Sequence, residues 1–524
     1  MRLFHLRFRT VLRARLAEAV LIAAATLSPA ALAENAPPPN VLFIAVDDLK
    51  PTLGAFGDAY AVTPNLDRLA ARGTVFLNAH CQQAVCAPSR VSLLTGLRPD
   101  TTRVWDLKTQ FRAALPDAVT LPQRFKQAGY RSIGMGKIYD PRSAGGRKSM
   151  DAASWSAPFL NIDQTPANAT YGYLNPDTVA HIEAQRAALA DLPSGYDKQL
   201  KAVFPDGKPA TDQADVPDNA YHDGAMTDVA VERLSELRSS NEPFFLAVGY
   251  KKPHLPFNAP KRYWQLYDRS TVPMAQFTQA PEGAPHYTTQ PGWELRTNYD
   301  APKNGPIDEA KQRELIHGYY AATSYIDAQI GRLLEALDAN GQADNTIVVV
   351  WGDHGWHLGD HDIWCKHTNY EQATRSPLII AAPGVGQAGG RNSSPVELVD
   401  VYPTLLDLAS LKPAGELHGV SLRPLMQDPS AAVKDLAVSQ YPRGGGKQIT
   451  LGYAFRSERY RLVQWVETDR RGDAADAPRV ASELYDYTSD PLETRNLIDD
   501  PAYAQVRADM EAKADRFRAT RKAP

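Results

Sequence analysis

The sequence predicts an α/β fold in which helices cover a mostly parallel sheet. Short apolar runs of strand length alternate with longer segments of helical periodicity along most of the chain. The apolar runs lead repeatedly into polar loops that carry a carboxylate, a histidine or a lysine. Because ligands in layered α/β folds bind beyond the carboxyl ends of the strands, we expect these loops to meet at one edge of the sheet.

Four short segments are predicted to be the strands that deliver these loops. In a sequence, buried parallel strands are typically short apolar runs that end in turn residues. The segments and the polar residues after them are 41–46 with Asp47 and Asp48, 130–135 with Lys137, 244–249 with Lys252 and His254, and 346–351 with Asp353 and His354.

The segments between these strands supply the predicted helices. Residues 65–71, 121–127 and 308–339 have helical character, and Gly341 is expected to end the last of them. Residues 141–225 show no clear periodicity, so we expect a long insertion over the active face. From about Gly452 the pattern changes to short alternating segments and then a charged helix, which indicates a small α+β subdomain.

The first 33 residues are typical of a signal peptide. Five arginines precede an apolar stretch at 19–27 that is too short to span a bilayer, and Ala31-Leu32-Ala33 fits a small-x-small cleavage site. An uncleaved membrane anchor is the alternative, but no second apolar span supports it. We therefore expect a signal peptide at 1–33, a catalytic domain at 34–440 and a C-terminal subdomain at 441–524. The mature protein should be periplasmic or secreted, without membrane association.

Composition and charge narrow the class of protein further. The 524 residues are 43% hydrophobic and 22% charged, as in ordinary globular proteins. The formal net charge is −3 and no basic block occurs, so nucleic acid is not an expected partner. With three cysteines the chain is not a disulfide scaffold, and Cys81 and Cys365 could pair or stay separate.

The segment 86–96 carries the most specific motif. It reads Cys-Ala-Pro-Ser-Arg-Val-Ser-Leu-Leu-Thr-Gly and matches C-x-P-S-R-x-x-x-L-T-G at every fixed position. A lone cysteine would more often be a buried free thiol, but the whole pattern resembles the signature of the formylglycine-dependent (type I) sulfatases. The resemblance implies that a maturation enzyme oxidises Cys86 to formylglycine and that the fold is an alkaline-phosphatase-like α/β/α sandwich.

Sulfate-ester chemistry gives a reason for that modification. A serine that attacked sulfur would leave a stable sulfated enzyme. A hydrated aldehyde can attack with one hydroxyl and then expel sulfate as it returns to the aldehyde. Arg90 is placed to steady the hydrate and offset negative charge.

The family resemblance also implies a metal site. It assigns Asp47, Asp48, Asp353 and His354 as ligands, with the modified Cys86 side chain completing the set. Carboxylate oxygens suit Ca²⁺, and Mg²⁺ is the alternative. The metal would act as a Lewis acid on a sulfate oxygen.

Three cations occupy positions that resemble the sulfate-binding groups of the family. Lys137 and Lys366 are expected to hold sulfate oxygens, and His254 to protonate the leaving alkoxide. Many relatives have a histidine shortly after the first lysine, whereas here Ile138-Tyr139-Asp140 follows. No second catalytic histidine is predicted in that loop.

Within the family the chain resembles the iduronate-2-sulfatase-like subgroup. The segments 82–86, 249–257, 353–359 and 483–487 carry this likeness. The subgroup acts on sulfated sugars, often at uronic acids, so sulfated poly- or oligosaccharides such as glycosaminoglycans are the expected substrates. Trp356 and His367 are expected to contribute to the sugar pocket. At the position of His367, the lysosomal member of this subgroup has a tyrosine.

Two other functions are compatible with parts of this pattern. A phosphodiesterase or phosphonate monoester hydrolase of the same superfamily would use similar metal-binding aspartates. A second metal site would need further aspartate and histidine ligands, and the sequence shows no convincing additional set. A sugar-binding module descended from a sulfatase predicts the loss of Cys86, Arg90 or an aspartate, and none is lost. Sulfate-ester hydrolysis is the favoured function.

Overall fold

The computed structural model describes residues 37–162, 165–188, 196–240, 242–290, 292–444, 448–469 and 477–520. The predicted signal peptide lies outside these residues. Within them, the strands in chain order are β1 (Asn40–Val46), β2 (Thr74–Phe76), β3 (Ala79–His80), β4 (Arg131–Gly136), β5 (Thr211–Ala214), β6 (Phe244–Tyr250), β7 (Phe257–Pro260), β8 (Thr346–Gly352), β9 (Leu378–Ala381), β10 (Gly390–Asn392), β11 (Val396–Glu397), β12 (Ala437–Arg443), β13 (Gln448–Arg456), β14 (Tyr460–Asp469) and β15 (Arg479–Asp486).

The α-helices of the same residues alternate with these strands. In chain order they are α1 (Pro64–Arg72), α2 (Cys86–Thr95), α3 (Pro99–Thr102), α4 (Phe111–Ala114), α5 (Leu121–Gln127), α6 (Pro166–Ala169), α7 (Pro176–Ala188), α8 (Tyr196–Val203), α9 (His222–Leu237), α10 (Lys261–Trp264), α11 (Trp293–Asn298), α12 (Glu309–Ala339), α13 (Glu371–Thr374), α14 (Val401–Leu408), α15 (Arg423–Gln427) and α16 (Ala504–Ala519).

A seven-stranded sheet with the order β10-β2-β9-β8-β1-β6-β4 forms the centre of the fold. β1 pairs in parallel with β6 and β8, and β4 pairs in parallel with β6. β9 runs antiparallel to its neighbours β8 and β2. The sheet is therefore mixed but mostly parallel, which confirms the predicted class. Because β1, β4, β6 and β8 are parallel, their carboxyl ends meet at one edge.

Helices cover both faces of this sheet, and β1 shows why its sequence is continuously apolar. Successive side chains of a strand point to opposite faces. Phe43 belongs to a core shared with α2, α5 and α14, whereas Ile44 belongs to a core shared with α1, α9 and α12. Both side chains are fully buried. A strand between two helical layers has no solvent face, and this explains the unbroken run of apolar residues.

The C-terminal part forms a smaller antiparallel sheet with the order β12-β13-β14-β15. Its apolar face packs on α16, where Met510 and Ala514 join Leu462 and Leu484 in one core. Two hydrogen bonds attach its first strand to the chain just before α2: Ser439 Oγ donates to the Cys81 carbonyl (2.6 Å), and the backbone N–H of Gln440 donates to the carbonyl of Gln82 (2.8 Å).

The predicted elements agree closely with the observed ones in the sheet. The helix predicted at 121–127 is α5, and the helix at 308–339 is α12, with Asp308 as its N-cap. The change in character expected near Gly452 begins earlier, because β12 starts at Ala437. The described parts of 141–225 contain helices and β5. No helix among the described residues is long and apolar enough to cross a membrane.

Candidate active site

The predicted site residues converge at the carboxyl edge of the large sheet. Asp47 and Asp48 follow β1, Lys137 follows β4, His254 lies in the loop after β6, and Asp353 and His354 follow β8. The contacts described below bring these residues together with Cys86, Arg90 and Lys366.

Cys86 is the first residue of α2, and its side chain is at the amino end of the helix. The preceding Val85 provides no side-chain cap, so the first turn keeps its partial positive charge. Cys86 is only 2% exposed. Burial and then the charge of Asp47 raise the pKa of its thiol well above the usual value. The unmodified residue therefore remains a neutral thiol, which is a poor nucleophile.

Arg90 lies one turn further along α2 and forms ion pairs or hydrogen bonds with three loops. Its Nη2 lies 2.8 Å from Asp47 Oδ1 and its Nε 2.8 Å from Asp353 Oδ2. Nη1 donates to the carbonyl of Ile138 (3.2 Å) and to that of Lys137. The guanidinium is fully buried, so these partners compensate a charge that would otherwise be costly to bury. Arg90 thus fixes the helix carrying Cys86 to the loops after β1, β4 and β8.

Lys137 faces both a carboxylate and the Cys86 sulfur. Its Nζ lies 2.5 Å from Asp47 Oδ2 and donates to Cys86 Sγ at 3.5 Å. The preceding Gly136 has φ +72°, and a Cβ there would lie 2.2 Å from the carbonyl oxygen of Gly249. Only glycine allows β4 and β6 to approach this closely, so Gly136 helps to set the direction in which Lys137 leaves the strand.

Asp48, Cys86, Asp353 and His354 form a group that could hold a cation, since their ligand atoms all lie within 4.8 Å of one another. His354 Nδ1 lies 3.0 Å from the carbonyl of Gly355, which can only accept, so Nδ1 carries the hydrogen and Nε2 presents a lone pair. Nε2 is buried, lacks a hydrogen-bond partner among the described residues, and lies 3.4 Å from Asp48 Oδ1 and 3.5 Å from Asp353 Oδ2. A lone pair between two carboxylates fits a divalent metal.

Asp47 has a different set of partners from Asp48. The two oxygens of Asp47 are paired with Arg90 and Lys137, and these cations hold its pKa well below the usual value although burial acts in the opposite direction. Asp47 also belongs to an overlapping group with Asp48 and His254 whose ligand atoms could share a cation. A carboxylate oxygen has two lone pairs, so these ion pairs leave room for a metal ligand role.

Glu294 is the site residue that sequence reasoning missed. Its Oε2 lies 2.9 Å from Lys366 Nζ, and its Oε1 lies 3.0 Å from His254 Nε2. Lys366 Nζ also lies 2.8 Å from Asp48 Oδ2. Glu294 is on the short helix α11, in a segment without strand, motif or recognisable spacing, so no local signal pointed to it.

Three further residues of the site loops are Trp356, Lys252 and His367. Trp356 is 1% exposed, and its ring lies under the Lys366 ammonium (4.9 Å to the centroid), so it supports the lysine and offers no free face to a sugar. Lys252 donates to the carbonyls of His254 and Pro256, which makes it a loop-stabilising residue. His367 is half-buried, and its ring packs on Tyr441 at 5.7 Å.

The three cysteines are free and buried. Cys81 and Cys365 are therefore not paired in this structure. This resolves the alternative that the sequence left open.

Comparisons with known proteins agree with this fold. The Sulfatase family model matches residues 39–411, and the model for the C-terminal region of N-sulphoglucosamine sulphohydrolase matches residues 359–520. Iduronate 2-sulfatase of Homo sapiens is 35% identical over 88% of this chain and 91% of its own length.

Two solved structures share the fold. A protein in complex with its substrate D-glucosamine-2-N,6-O-disulfate has a TM-score of 0.67 at 22% identity, covering 93% of this chain and 99% of that one. The phosphonate monoester hydrolase of Silicibacter pomeroyi has a TM-score of 0.68 at 23% identity, covering 92% of this chain and 96% of that one. At these identities the likeness shows the fold alone.

A layered α/β fold with clustered cations and a metal-compatible carboxylate group at one sheet edge is typical of hydrolases that act on anionic esters. The family match and the identity to a curated relative define the class more narrowly. The chain belongs to the sulfatase family, and it is a sulfuric ester hydrolase.

Proposed function

We propose that this sulfatase removes sulfate from saccharides that contain uronic acid, with a formylglycine made from Cys86 as the nucleophile. The observation that supports the nucleophile is the position of Cys86, at the start of α2, 3.5 Å from Lys137 and within the cation group of Asp48, Asp353 and His354. The saccharide class rests on the 35% identity to human iduronate 2-sulfatase. The phosphonate monoester hydrolase function is the weaker alternative.

The proposed nucleophile requires a separate maturation enzyme that oxidises the Cys86 side chain to an aldehyde. In the hydrated form, one hydroxyl oxygen bonds to sulfur while the bond between sulfur and the sugar oxygen breaks. The second hydroxyl then loses its proton, the aldehyde re-forms, and the carbon–oxygen bond to sulfate breaks. Water hydrates the aldehyde again, so no attack on the sulfated intermediate is needed.

The neighbouring side chains have distinct roles in this proposal. Lys137 and Lys366 bind sulfate oxygens as fixed charges in a buried pocket, where a charge acts more strongly than in water. Arg90 holds Asp47 and Asp353 in place. His254 donates a proton to the leaving sugar oxygen. His254 Nδ1 lies 2.6 Å from the Leu255 carbonyl, and its Nε2 faces Glu294, so both ring nitrogens have an acceptor nearby.

The proposed metal ligands are Asp47, Asp48, Asp353, His354 and the modified Cys86 side chain. When bound, the metal supplies Lewis-acid polarisation of a sulfate oxygen. The three carboxylates favour Ca²⁺, and Mg²⁺ remains the alternative. Chelator treatment followed by titration with each ion in turn discriminates between them.

The proposed location is the periplasm or the extracellular space. The composition of residues 1–33 supports this proposal. Sequencing the amino terminus of protein purified from the native host tests it, since cleavage after Ala33 would leave Glu34 as the first residue.

The experiment that tests the proposed function compares sulfate release from a sulfated uronate disaccharide with hydrolysis of a phosphonate monoester. We expect sulfate release by the wild type and its loss in Cys86→Ala. Cys81→Ala is the matched control, because Cys81 is also a buried free cysteine but lies outside the cation group. Faster turnover of the phosphonate ester than of any sulfated sugar would overturn the proposal.

A further inference from the structure

A second group of metal-binding side chains lies in the loop between β8 and α13. His357, Asp360 and His361 offer ligand atoms that all lie within 4.8 Å of one another. They are separate from the active-site group, although the same loop leads from Asp353 to Lys366. We propose that these three residues form a structural site for a transition-metal cation of the zinc class.

The carboxylate of Asp360 lies at the centre of this group. Its Oδ1 accepts a hydrogen bond from the backbone N–H of Leu358 (3.0 Å), which orients the side chain. Its Oδ2 contacts His357 Nδ1 and lies 3.7 Å from His361 Nδ1. Two imidazole nitrogens and one carboxylate oxygen therefore lie close enough together to share one cation.

Each of the two imidazoles has a hydrogen-bond partner at its outer nitrogen. His361 Nε2 lies 3.3 Å from the carbonyl oxygen of Glu493, which can only accept, so Nε2 carries a hydrogen and the neutral imidazole presents a lone pair at Nδ1. His357 Nε2 lies 2.8 Å from Thr368 Oγ1, which accepts a hydrogen bond from the backbone of Tyr370. Metal-binding histidines commonly hold their second nitrogen in this way.

His361 Nδ1 provides the second, independent observation. The residue is 4% exposed, and within the described part of the chain this nitrogen has no hydrogen-bond partner. A hydrogen bond between His357 Nδ1 and Asp360 Oδ2 would account for those two residues without a metal. It would leave His361 Nδ1, which is buried and 3.7 Å from Asp360 Oδ2, without a hydrogen-bond partner, which is costly in a protein interior.

A small cavity lies beside Asp360 and His361. A cavity of about 20 Å³ is lined by Asp360, His361, Phe277, Gln372 and Glu493. That volume admits about one water molecule. Zn²⁺ prefers four ligands, so two histidines and one carboxylate would leave one position for a water, whereas Ca²⁺ prefers six to eight oxygens.

The position of the group indicates what a bound cation would stabilise. The His361 ring stacks on Tyr370 at 4.6 Å and contacts the Glu493 carbonyl, so it links the loop to the C-terminal part of the chain. The loop begins beside Asp353 and His354 and ends at Lys366. A cation here would hold this part of the loop against Tyr370 and the C-terminal part of the chain.

The test uses mature protein stripped with a chelator, dialysed against Zn²⁺ alone and analysed for metal per chain by mass spectrometry. We expect Asp360→Asn and His361→Ala each to lose one equivalent of zinc relative to the wild type. His354→Ala should keep that equivalent, which separates this site from the active-site group. His286→Ala, an exposed histidine, controls for surface binding. Equal zinc content in all four variants and the wild type would overturn the proposal.

A measurement on the wild type avoids dependence on variants that fail to fold. Crystals soaked in Zn²⁺ should give an anomalous-scattering peak between His357 Nδ1 and His361 Nδ1. Absence of a peak there, with zinc present in the soak, would contradict the site. Zinc binding at this site does not depend on sulfate hydrolysis. A protein that binds zinc here but does not hydrolyse sulfate esters would contradict the proposed function and leave the zinc site supported.

Discussion

The Nζ of Lys137 lies 3.5 Å from the sulfur of Cys86 and 2.5 Å from a carboxylate oxygen of Asp47. The lysine is buried, and although burial lowers the pKa of an ammonium, the charge of Asp47 outweighs this effect and raises it. The lysine therefore remains charged next to the residue from which the proposed nucleophile is made. A fixed charge there can bind the sulfate group while it is transferred.

Replacing Lys137 tests this role directly. Lys137→Met keeps the length of the side chain but removes the charge, so we expect kcat for sulfate release to fall about 10²–10³-fold. Lys108→Met is the control, since Lys108 is exposed and should leave kcat unchanged. A kcat within a factor of two or so of the wild type would contradict a role for Lys137 in transition-state binding.

Arg90 should contribute strongly to stability as well as to the site. Arg90→Met would leave Asp47 and Asp353 buried without their shared partner, at a cost of about 3–5 kcal/mol in the free energy of unfolding. Arg72→Met provides the comparison, because its pair with Asp338 is exposed and is worth about 1 kcal/mol or less. Denaturant unfolding in the presence of a chelator measures both. An equal loss in the free energy of unfolding in the two variants would show that Arg90 does not stabilise the contacts between the loops.

The contribution of His254 to the rate of hydrolysis should increase with the basicity of the leaving group. His254→Gln removes the proposed proton donor, so hydrolysis of a sugar sulfate should fall about 10²–10⁴-fold. An aryl sulfate with an acidic phenol needs little protonation, and its turnover should fall far less. Glu294→Gln should also slow hydrolysis of the sugar sulfate more than that of the aryl sulfate, but by smaller factors, because Glu294 holds His254 in position. Equal losses with both substrates would exclude the proton-donor role.

Acid should destabilise the protein partly through His80. Burial lowers the pKa of His80 from 6.5 to about 3, despite the opposing charge of Glu371. The folded state thus keeps the imidazole neutral, while the unfolded chain binds a proton below about pH 6.5. Stability is full above that pH and falls as the pH decreases toward 3, by about 2 kcal/mol at pH 5.

His80→Gln should flatten this dependence between pH 4 and pH 7, as measured by the free energy of unfolding at a series of pH values. His286→Gln is the control, since His286 is exposed and should keep the wild-type slope. An unchanged slope in His80→Gln would show that other groups cause the acid sensitivity.

Much of the fold and the site followed from local sequence patterns. β1 and β8 were predictable because a strand buried on both faces must be continuously apolar, and the polar residues that end them mark the active edge. The antiparallel direction of β9 was not predictable, since strand order depends on pairing between residues far apart in the chain. The domain boundary at residue 441 and the roles of the site residues remain predictions.

The environment of single side chains was the least predictable feature. Glu294 lies on a short helix without a motif, and only the three-dimensional fold brings it to Lys366 and His254. The resemblance to the iduronate-2-sulfatase-like subgroup suggested a place for Trp356 in the sugar pocket. The loop instead turns its ring into the core, where it contacts the Lys366 ammonium.

The central claim is that Cys86 becomes the nucleophile by conversion to an aldehyde. Mass spectrometry of the peptide containing Cys86, taken from active protein expressed in its native host, tests this claim most directly. The account predicts a peptide whose mass corresponds to an aldehyde in place of the thiol, in a fraction that tracks the specific activity of each preparation. A fully active preparation in which every Cys86 is an unmodified thiol would contradict it.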